Sequence, residues 1–218
     1  MSSSLSLVSD PAGQPLYYVS QFQDVTEEQR SRLQLIEQAF HDSLTGLPNR
    51  VLFEERVGQA LARARRQHSV LAVMFCDLDD FKEVNDRFGH QAGDDTLRAV
   101  AARLRGCIRE TDTVARFGGD EFLFLLDGLS EPAEVEATVA RIHEAMRPPH
   151  MLGDQRVVVG ASIGVAIGTW ESSSLETLLG QADSAMYDAK AAGGGRALVF
   201  GTPAWYQPGA VPPRLPEP

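Results

Sequence analysis

Between residues 42 and 200, segments with the period of a helix alternate with short apolar runs, an order that restricts the chain to helices packed on a sheet. Residues 48–67 place Phe53, Val57, Leu61 and Ala64 on one side of a helix, and residues 70–76 read as a buried strand. A second helix, over residues 92–108, aligns Leu97, Val100, Leu104 and Ile108 in one stripe. Strands follow at 113–117 and 122–126, separated only by the Gly118-Gly119 region, which signals a tight hairpin. A helix over 132–146, a strand over 157–167, a helix over 175–191 and a last strand over 197–200 complete the pattern. The expected fold class is α/β, an α+β sandwich with a mixed, largely antiparallel central sheet flanked by helices.

The flanks differ in kind. Six of the 12 prolines fall after residue 200, so residues 201–218 are expected to form a Pro-rich tail without helix or inner strand. Residues 1–23 open with serines, turn at Asp10-Pro-Ala-Gly13 and enter a strand over 16–22. Asp24 or Thr26 then caps a linker helix over residues 24–41. A hairpin followed by Asp24-Val-Thr26 resembles the end of a PAS sensor domain. That resemblance implies a remnant, because so short a segment cannot enclose a ligand cavity. Leu33, Ile36 and Phe40 make one apolar stripe on the helix, and two readings stay open: packing on its own domain, or a short parallel coiled-coil stalk joining two subunits.

Charge excludes one class of partner. With 20 Lys+Arg against 30 Asp+Glu the formal net charge is −10, which leaves no broad electrostatic grip on a DNA or RNA polymer. Any phosphate ligand must be held locally, by a few cations, backbone amides or metal ions. Cys76 and Cys107 lack metal or redox spacing and are expected to be buried core thiols. No apolar stretch reaches the roughly 18 residues of a spanning helix, and the start of the chain lacks the basic and apolar regions of a signal peptide. The expected compartment is the cytoplasm, with no membrane segment.

Two acidic clusters stand at the ends of expected core strands. In Phe75-Cys-Asp77-Leu-Asp79-Asp80-Phe-Lys82, Asp77 lies where the apolar strand runs out and a helical turn begins just after it. Taken alone, such a cluster is a solvated strand end or a helix N-cap. Three carboxylates crowded beside a core strand repel unless they bind a cation or lie in water. Asp120-Glu121 follows Gly118-Gly119, a pair that on its own says only that positive φ is needed. If the two strands are neighbours, both clusters meet at one sheet edge and form an oxygen-ligand site suited to Mg²⁺ or Mn²⁺. Strand-end carboxylates of this kind serve phosphoryl and nucleotidyl transfer.

Arg116-Phe-Gly-Gly-Asp-Glu-Phe122 resembles the signature of the GGDEF-domain diguanylate cyclases. Further segments match in order: Asp42-Ser-Leu-Thr-Gly-Leu-Pro-Asn-Arg50, Asp77-Leu-Asp-Asp-Phe-Lys-Glu-Val-Asn-Asp86, Gly89-His-Gln-Ala-Gly-Asp94, Ser162-Ile-Gly-Val165 and Ala182-Asp-Ser-Ala-Met-Tyr-Asp-Ala-Lys190. The resemblance covers nearly all of residues 42–200. It implies a fold like the palm of nucleotide polymerases and adenylate cyclases, and condensation of two GTP into cyclic di-GMP with release of two pyrophosphates.

Carried over by position, the resemblance makes Asp77, the carbonyl of Leu78 and Asp120 the ligands of Mg²⁺ or Mn²⁺, two ions per GTP. Asp120 also helps deprotonate the ribose 3′-hydroxyl, with Glu121 as a supporting carboxylate. Phosphate oxygens fall to the amides near Asp80 and Phe81, where a helix begins, and to Lys82 and Lys190. Asn85 and Asp94 read the base. A carboxylate accepts from the guanine N1–H and 2-amino group, donors that adenine lacks there. Arg109-Glu-Thr-Asp112 resembles an inhibitory site for cyclic di-GMP, although the same pair alone could be a surface ion pair.

One departure stands out. After Ala189-Lys190 the family reads two residues, Gly, then Arg-Asn, whereas here Ala191-Ala192-Gly193-Gly194-Gly195 precedes Arg196. The usual phosphate-binding arginine therefore aligns with Gly194. The resemblance implies an active cyclase working as a homodimer, because each domain holds one GTP and two must face each other. Its rival is a weakly active or inactive module that acts as a cyclic di-GMP or GTP receptor.

Overall fold

A computed structural model of the chain describes residues 2–25, 27, 38–152, 155–169 and 174–201. They form two compact units that divide between Ala39 and Phe40. In the smaller unit β1 (Ser2–Ser9) pairs antiparallel with β2 (Pro15–Gln23). Its turn is held by Asp10, whose Oδ1 accepts from the N–H groups of Ala12 and Gln14 at 2.9 and 2.8 Å. Most of the expected linker helix, with Leu33 and Ile36, lies outside the described residues, as does the tail after residue 201. No helix among the described residues is long and apolar enough to cross a membrane.

The larger unit runs α1 (Arg50–Gln67), β3 (Val70–Leu78), α2 (Phe81–Phe88), α3 (His90–Arg105), β4 (Thr113–Gly118), β5 (Glu121–Leu129), α4 (Pro132–Met146), β6 (His150–Leu152), β7 (Gln155–Val157), β8 (Ala161–Gly168), α5 (Leu175–Ala191) and β9 (Ala197–Val199). Among the described residues its main sheet has the order β4-β5-β3-β8-β9. β3 is antiparallel to both β5 and β8, and β9 lies parallel to β8. The mixed, largely antiparallel sheet flanked by helices is the fold the sequence implied.

The central strand explains the two layers of helices. All of β3 is buried, so its continuous apolar run meets a core on both faces. Strand alternation sends Ala72, Met74, Cys76 and Leu78 to the side covered by α2, α3 and α4, with Phe81, Leu97, Val100 and Ile142. Leu71, Val73 and Phe75 meet α1 and α5 through Phe53, Val57, Leu178 and Ala182. Each large side chain taken fully from water contributes roughly 1.5–3 kcal/mol, before chain entropy is subtracted. Cys76 and Cys107 are free and buried, as expected.

Local chemistry sets the helix ends. Asn49 caps α1, accepting from Leu52 N at 3.2 Å, and Ser174 caps α5, accepting from Thr177 N at 3.2 Å. Pro132 opens α4 behind a capping box between Glu131 and Glu134. Three expectations need correction. β3 continues through Asp77 and Leu78, because both keep their ladder partners in β8. The helix expected over 92–108 begins at His90 and ends at Arg105, with Gly106 as its cap. The strand expected over 157–167 is broken: β7 ends at Val157 and β8 starts at Ala161. Between them Gly160 O accepts from Asp79 N at 3.0 Å, and that bond turns the chain toward Asp79.

His150 is buried at the start of β6. Arg103 Nη1 donates to Pro148 O at 2.6 Å and faces His150 Nε2 at 3.1 Å. A guanidinium can only donate, so Nε2 is the acceptor and the ring is neutral. Burial, then the Arg103 charge, lowers the His150 pKa from 6.5 to about 4. The unfolded chain gains this proton as pH falls through 6.5, whereas the native ring resists it until about 4. Stability is therefore complete above that window and falls by about 2 kcal/mol by roughly pH 5. Urea unfolding at both ends of the window checks this: His150→Phe should shrink the difference, and an unchanged difference would exclude His150 as its source.

Candidate active site

The β3–β5 register places Asp77 directly opposite Glu121. β4 and β5 pair through Gly118 and Glu121, which leaves Gly119 and Asp120 as the connection. Gly119 sits at φ +50°, a conformation that favours glycine, and Leu78 N donates to Asp120 O at 3.3 Å. The two acidic clusters therefore meet at one end of the sheet. Alternation puts Asp77 on the face of Phe75 and Glu121 on that of Leu123, the side covered by α1 and α5.

From α5 comes Lys190, whose Nζ lies 2.5 Å from Asp77 Oδ1. The contact is an ion pair without well-aligned hydrogen-bond geometry, and that buried oxygen has no hydrogen-bond partner among the described residues. Burial raises the Asp77 pKa, opposed by Lys190 and reinforced by Asp120. Glu121 is also raised, by burial and then by Asp77 and Asp120. Burial works against the Lys190 ammonium, but Asp77 outweighs it and holds the pKa above its ordinary value. One ammonium does not balance these carboxylates, so the cluster favours further positive charge.

Lys190 reaches Asp77 because α5 lies directly on β8. A Cβ at Gly164 would run into Ala182 O and Met186 N, and would stand 2.9 Å from Ala185 C. The glycine of Ser162-Ile-Gly-Val165 thus permits a backbone-to-backbone approach that no other residue allows. The donors at the site fit a hard divalent cation: two carboxylates, Asp77 and Asp120, with the carbonyl of Leu78 on the same strand. No group of three acidic, His or Cys side chains forms a complete cage among the described residues. A cation held here would need further oxygens from outside the protein, a demand that Mg²⁺ or Mn²⁺ would meet.

Asp79, which the sequence placed in the acidic cluster without a separate role, has a structural one. Its Oδ1 accepts from Ser162 Oγ at 2.6 Å and its Oδ2 from Gly195 N at 2.9 Å. The side chain therefore clamps the glycine run after Lys190 onto β3 and β8. Gly193, Gly194 and Gly195 sit at φ +106°, +70° and +60°, and a Cβ on Gly194 would stand 3.1 Å from Asp79 Oδ1. Together with Asp79, Asp80 and Lys190 these glycines line a cleft of about 420 Å³. Arg196 curls back along them, its Nε donating to Gly194 O at 3.3 Å.

Of the remaining expected residues Asp80 lines this cleft, whereas Arg109 and Asp112 line a separate cavity with Leu47, Pro48 and Arg105. Asp80 is the N-cap of α2 at φ +57°; its side chain makes no cap bond, its carbonyl accepts from Glu83 N at 2.9 Å, and Phe81 opens the helix. Lys82 is exposed and carries no ion pair among the described residues. Asn85 lies against Gly93, where a Cβ would overlap its amide oxygen, and so sits beside the half-buried Asp94. Arg109 and Asp112 close the turn before β4: Asp112 Oδ2 accepts from Arg109 N at 3.1 Å and Oδ1 from Asp127 N at 3.3 Å. Their side chains do not form the surface ion pair that spacing alone allowed.

Arg116, within the quoted signature, supports the hairpin. Its Nη1 meets both oxygens of Asp42 at 3.1 Å, and its Nε and Nη2 donate to Gly119 O at 3.0 and 2.7 Å. Burial works to raise the Asp42 carboxyl, but Thr45 and Arg116 outweigh it and hold its pKa low. The first segment of the domain is thereby tied to the acidic turn.

The family model described as diguanylate cyclase, GGDEF domain, matches residues 39–196. Diguanylate cyclase TpbB of Pseudomonas aeruginosa is 45% identical over 173 residues, 77% of this chain and 40% of that protein. A structure comprising only the GGDEF domain of TpbB is similar with a TM-score of 0.71 at 44% identity, over 73% of this chain and 94% of that one. The coiled coil and GGDEF domain of DgcB from Caulobacter crescentus, in complex with c-di-GMP, gives 0.70 at 26% identity, over 79% and 92%. The chain spans less than half the length of the curated relatives it matches. Sequence and fold converge over the same stretch of chain, and this protein belongs to the GGDEF-domain family of diguanylate cyclases.

Proposed function

We propose that this chain condenses two GTP molecules into cyclic di-GMP and releases two pyrophosphates. The observation that supports this most is the pairing of Asp77 with Glu121 across β3 and β5, beside Asp120 and within reach of Lys190. In each half-reaction a ribose 3′-hydroxyl oxygen bonds to the α-phosphorus of the other GTP. The bond from that phosphorus to the pyrophosphate oxygen breaks, and the hydroxyl proton leaves toward Asp120, with Glu121 in support. Mg²⁺ or Mn²⁺, two per GTP, held by Asp77, the Leu78 carbonyl and Asp120, neutralises phosphate charge and lowers the hydroxyl pKa when bound.

Lys82, Lys190 and the amides at Asp80 and Phe81 hold the phosphates, and Asn85 with Asp94 reads guanine. Each domain presents one GTP, so the partner GTP comes from a second copy in a homodimer. Arg109 and Asp112 bind the product as an inhibitory site; that a GGDEF domain can hold this product is supported by the structure of DgcB in complex with c-di-GMP. Residues 1–23 are a hairpin resembling the end of a PAS domain, 24–41 a linker or stalk, 42–200 the catalytic domain and 201–218 a Pro-rich tail, all in the cytoplasm. Incubation with Mg²⁺ and either GTP or ATP tests the reading. Cyclic dinucleotide should form from GTP and not from ATP; comparable turnover of both would refute the role of Asp94.

The glycine run bears on turnover. Arginine at position 194 would be forced to φ +70° against Asp79, a strain of roughly 1–2 kcal/mol. Gly194→Arg should therefore lower stability without lowering the KM for GTP. Arg196→Ala should raise that KM about ten-fold, the worth of one charge-assisted phosphate bond. A lower KM in the first variant with no change in the second would reverse the assignment. The same run supports the rival reading, a weakly active receptor for cyclic di-GMP or GTP, which the GTP incubation also decides.

A further inference from the structure

Arg109 already has an anion. Its Nη1 stands 2.6 Å from Glu134 Oε2, with the Arg109 side chain 58% exposed and that of Glu134 15%. Glu134 belongs to the first turn of α4, and its other oxygen is committed to the main chain. Oε1 accepts from Ser130 N at 2.7 Å and from Glu131 N at 3.2 Å. The carboxylate is thus fixed by the helix cap and turns its free oxygen to the guanidinium. Burial works to raise the Glu134 pKa, but the Ser130 N–H and Arg109 outweigh it and keep the group ionised. Asp112, the other half of the site, is held by the amides of Arg109 and Asp127 and does not take the guanidinium.

A phosphate and a carboxylate compete for the same guanidinium fork. A ligand phosphate that takes Nη1 must displace Glu134 and then sit beside its fixed negative charge. We propose that Glu134 is a built-in competitor of cyclic di-GMP at Arg109, one that raises the product concentration at which the inhibitory site fills. The proposal rests on reading Arg109 and Asp112 as that site. It differs from a plain surface ion pair because the cap, not Arg109, holds the carboxylate in place.

Glu134→Gln separates charge from capping, since glutamine serves a capping box equally well. Calorimetric titration of the full chain with cyclic di-GMP is the test, on the wild type, Glu134→Gln, Arg109→Ala and the double variant. Glu134→Gln should bind about five-fold tighter, with only a small loss of thermal stability from the lost ion pair and helix-end charge. Arg109→Ala should weaken binding at least ten-fold, and the double variant should match Arg109→Ala. Unchanged or weaker binding by Glu134→Gln, with Arg109→Ala still weakened, overturns the competitor role and leaves the site standing. Binding unaffected by Arg109→Ala overturns the site itself, and the proposal with it.

Discussion

Asp120→Asn is expected to cut cyclic di-GMP formation by about 10²–10³, the cost of removing one charged group from a metal–phosphate site. The fold should survive. Asp120 raises the pKa of Asp77 and of Glu121 by repulsion, so a neutral residue relieves like charge at the sheet end. The urea midpoint of the variant should equal or exceed that of the wild type. Near-normal turnover would remove Asp120 from the chemistry. Loss of activity together with loss of the unfolding transition would mean that the side chain holds the hairpin instead.

The second large effect is on the scaffold. Gly164→Ala would drive a methyl group into the backbone of α5, where no side-chain rotation relieves the overlap. The expected cost is about 3 kcal/mol or more, a large share of the roughly 5–15 kcal/mol that stabilises a domain. Gly180, in the same helix, is the control: a Cβ there meets nothing within 4 Å. Gly180→Ala should stabilise by up to about 1 kcal/mol. Equal urea midpoints for both variants would show that α5 does not rest on Gly164. Any α5 displaced in a surviving Gly164→Ala protein also carries Lys190 away from Asp77, so activity should fall further than stability.

Much of this architecture was legible in the chain because local signals agreed with tertiary ones. Pro132 and Ser174 mark the starts of α4 and α5, and both helices fall where their periodicity placed them. The continuous apolar run of β3 announced burial on both faces, and Gly118-Gly119 announced the β4–β5 hairpin, whereas the two acidic clusters meet through the β3–β5 pairing. What stayed hidden depends on partners distant in sequence. Nothing local distinguishes Asp79 from Asp77, yet β3 ends between them: Asp77 keeps its place in the ladder and meets Lys190, whereas Asp79, past the strand end, takes Ser162 and Gly195. The break at Gly160 follows from that same clamp, so periodicity alone joined β7 and β8. Arg109 and Asp112 were paired by spacing, whereas the arginine pairs with Glu134 across the hairpin. Gly194 read as a missing cation, but its positive φ against Asp79 makes glycine the fitting residue there.

The most direct measurement is the identity and stoichiometry of the product. The purified chain of 218 residues, incubated with GTP and Mg²⁺, is analysed by mass spectrometry for nucleotide and by a coupled assay for pyrophosphate. The expected result is cyclic di-GMP with two pyrophosphates released for each molecule formed, and none when the metal is chelated. GTP recovered unchanged, or converted only to GDP and inorganic phosphate, would contradict the assignment of the Asp77, Asp120 and Glu121 cluster to diguanylate cyclisation.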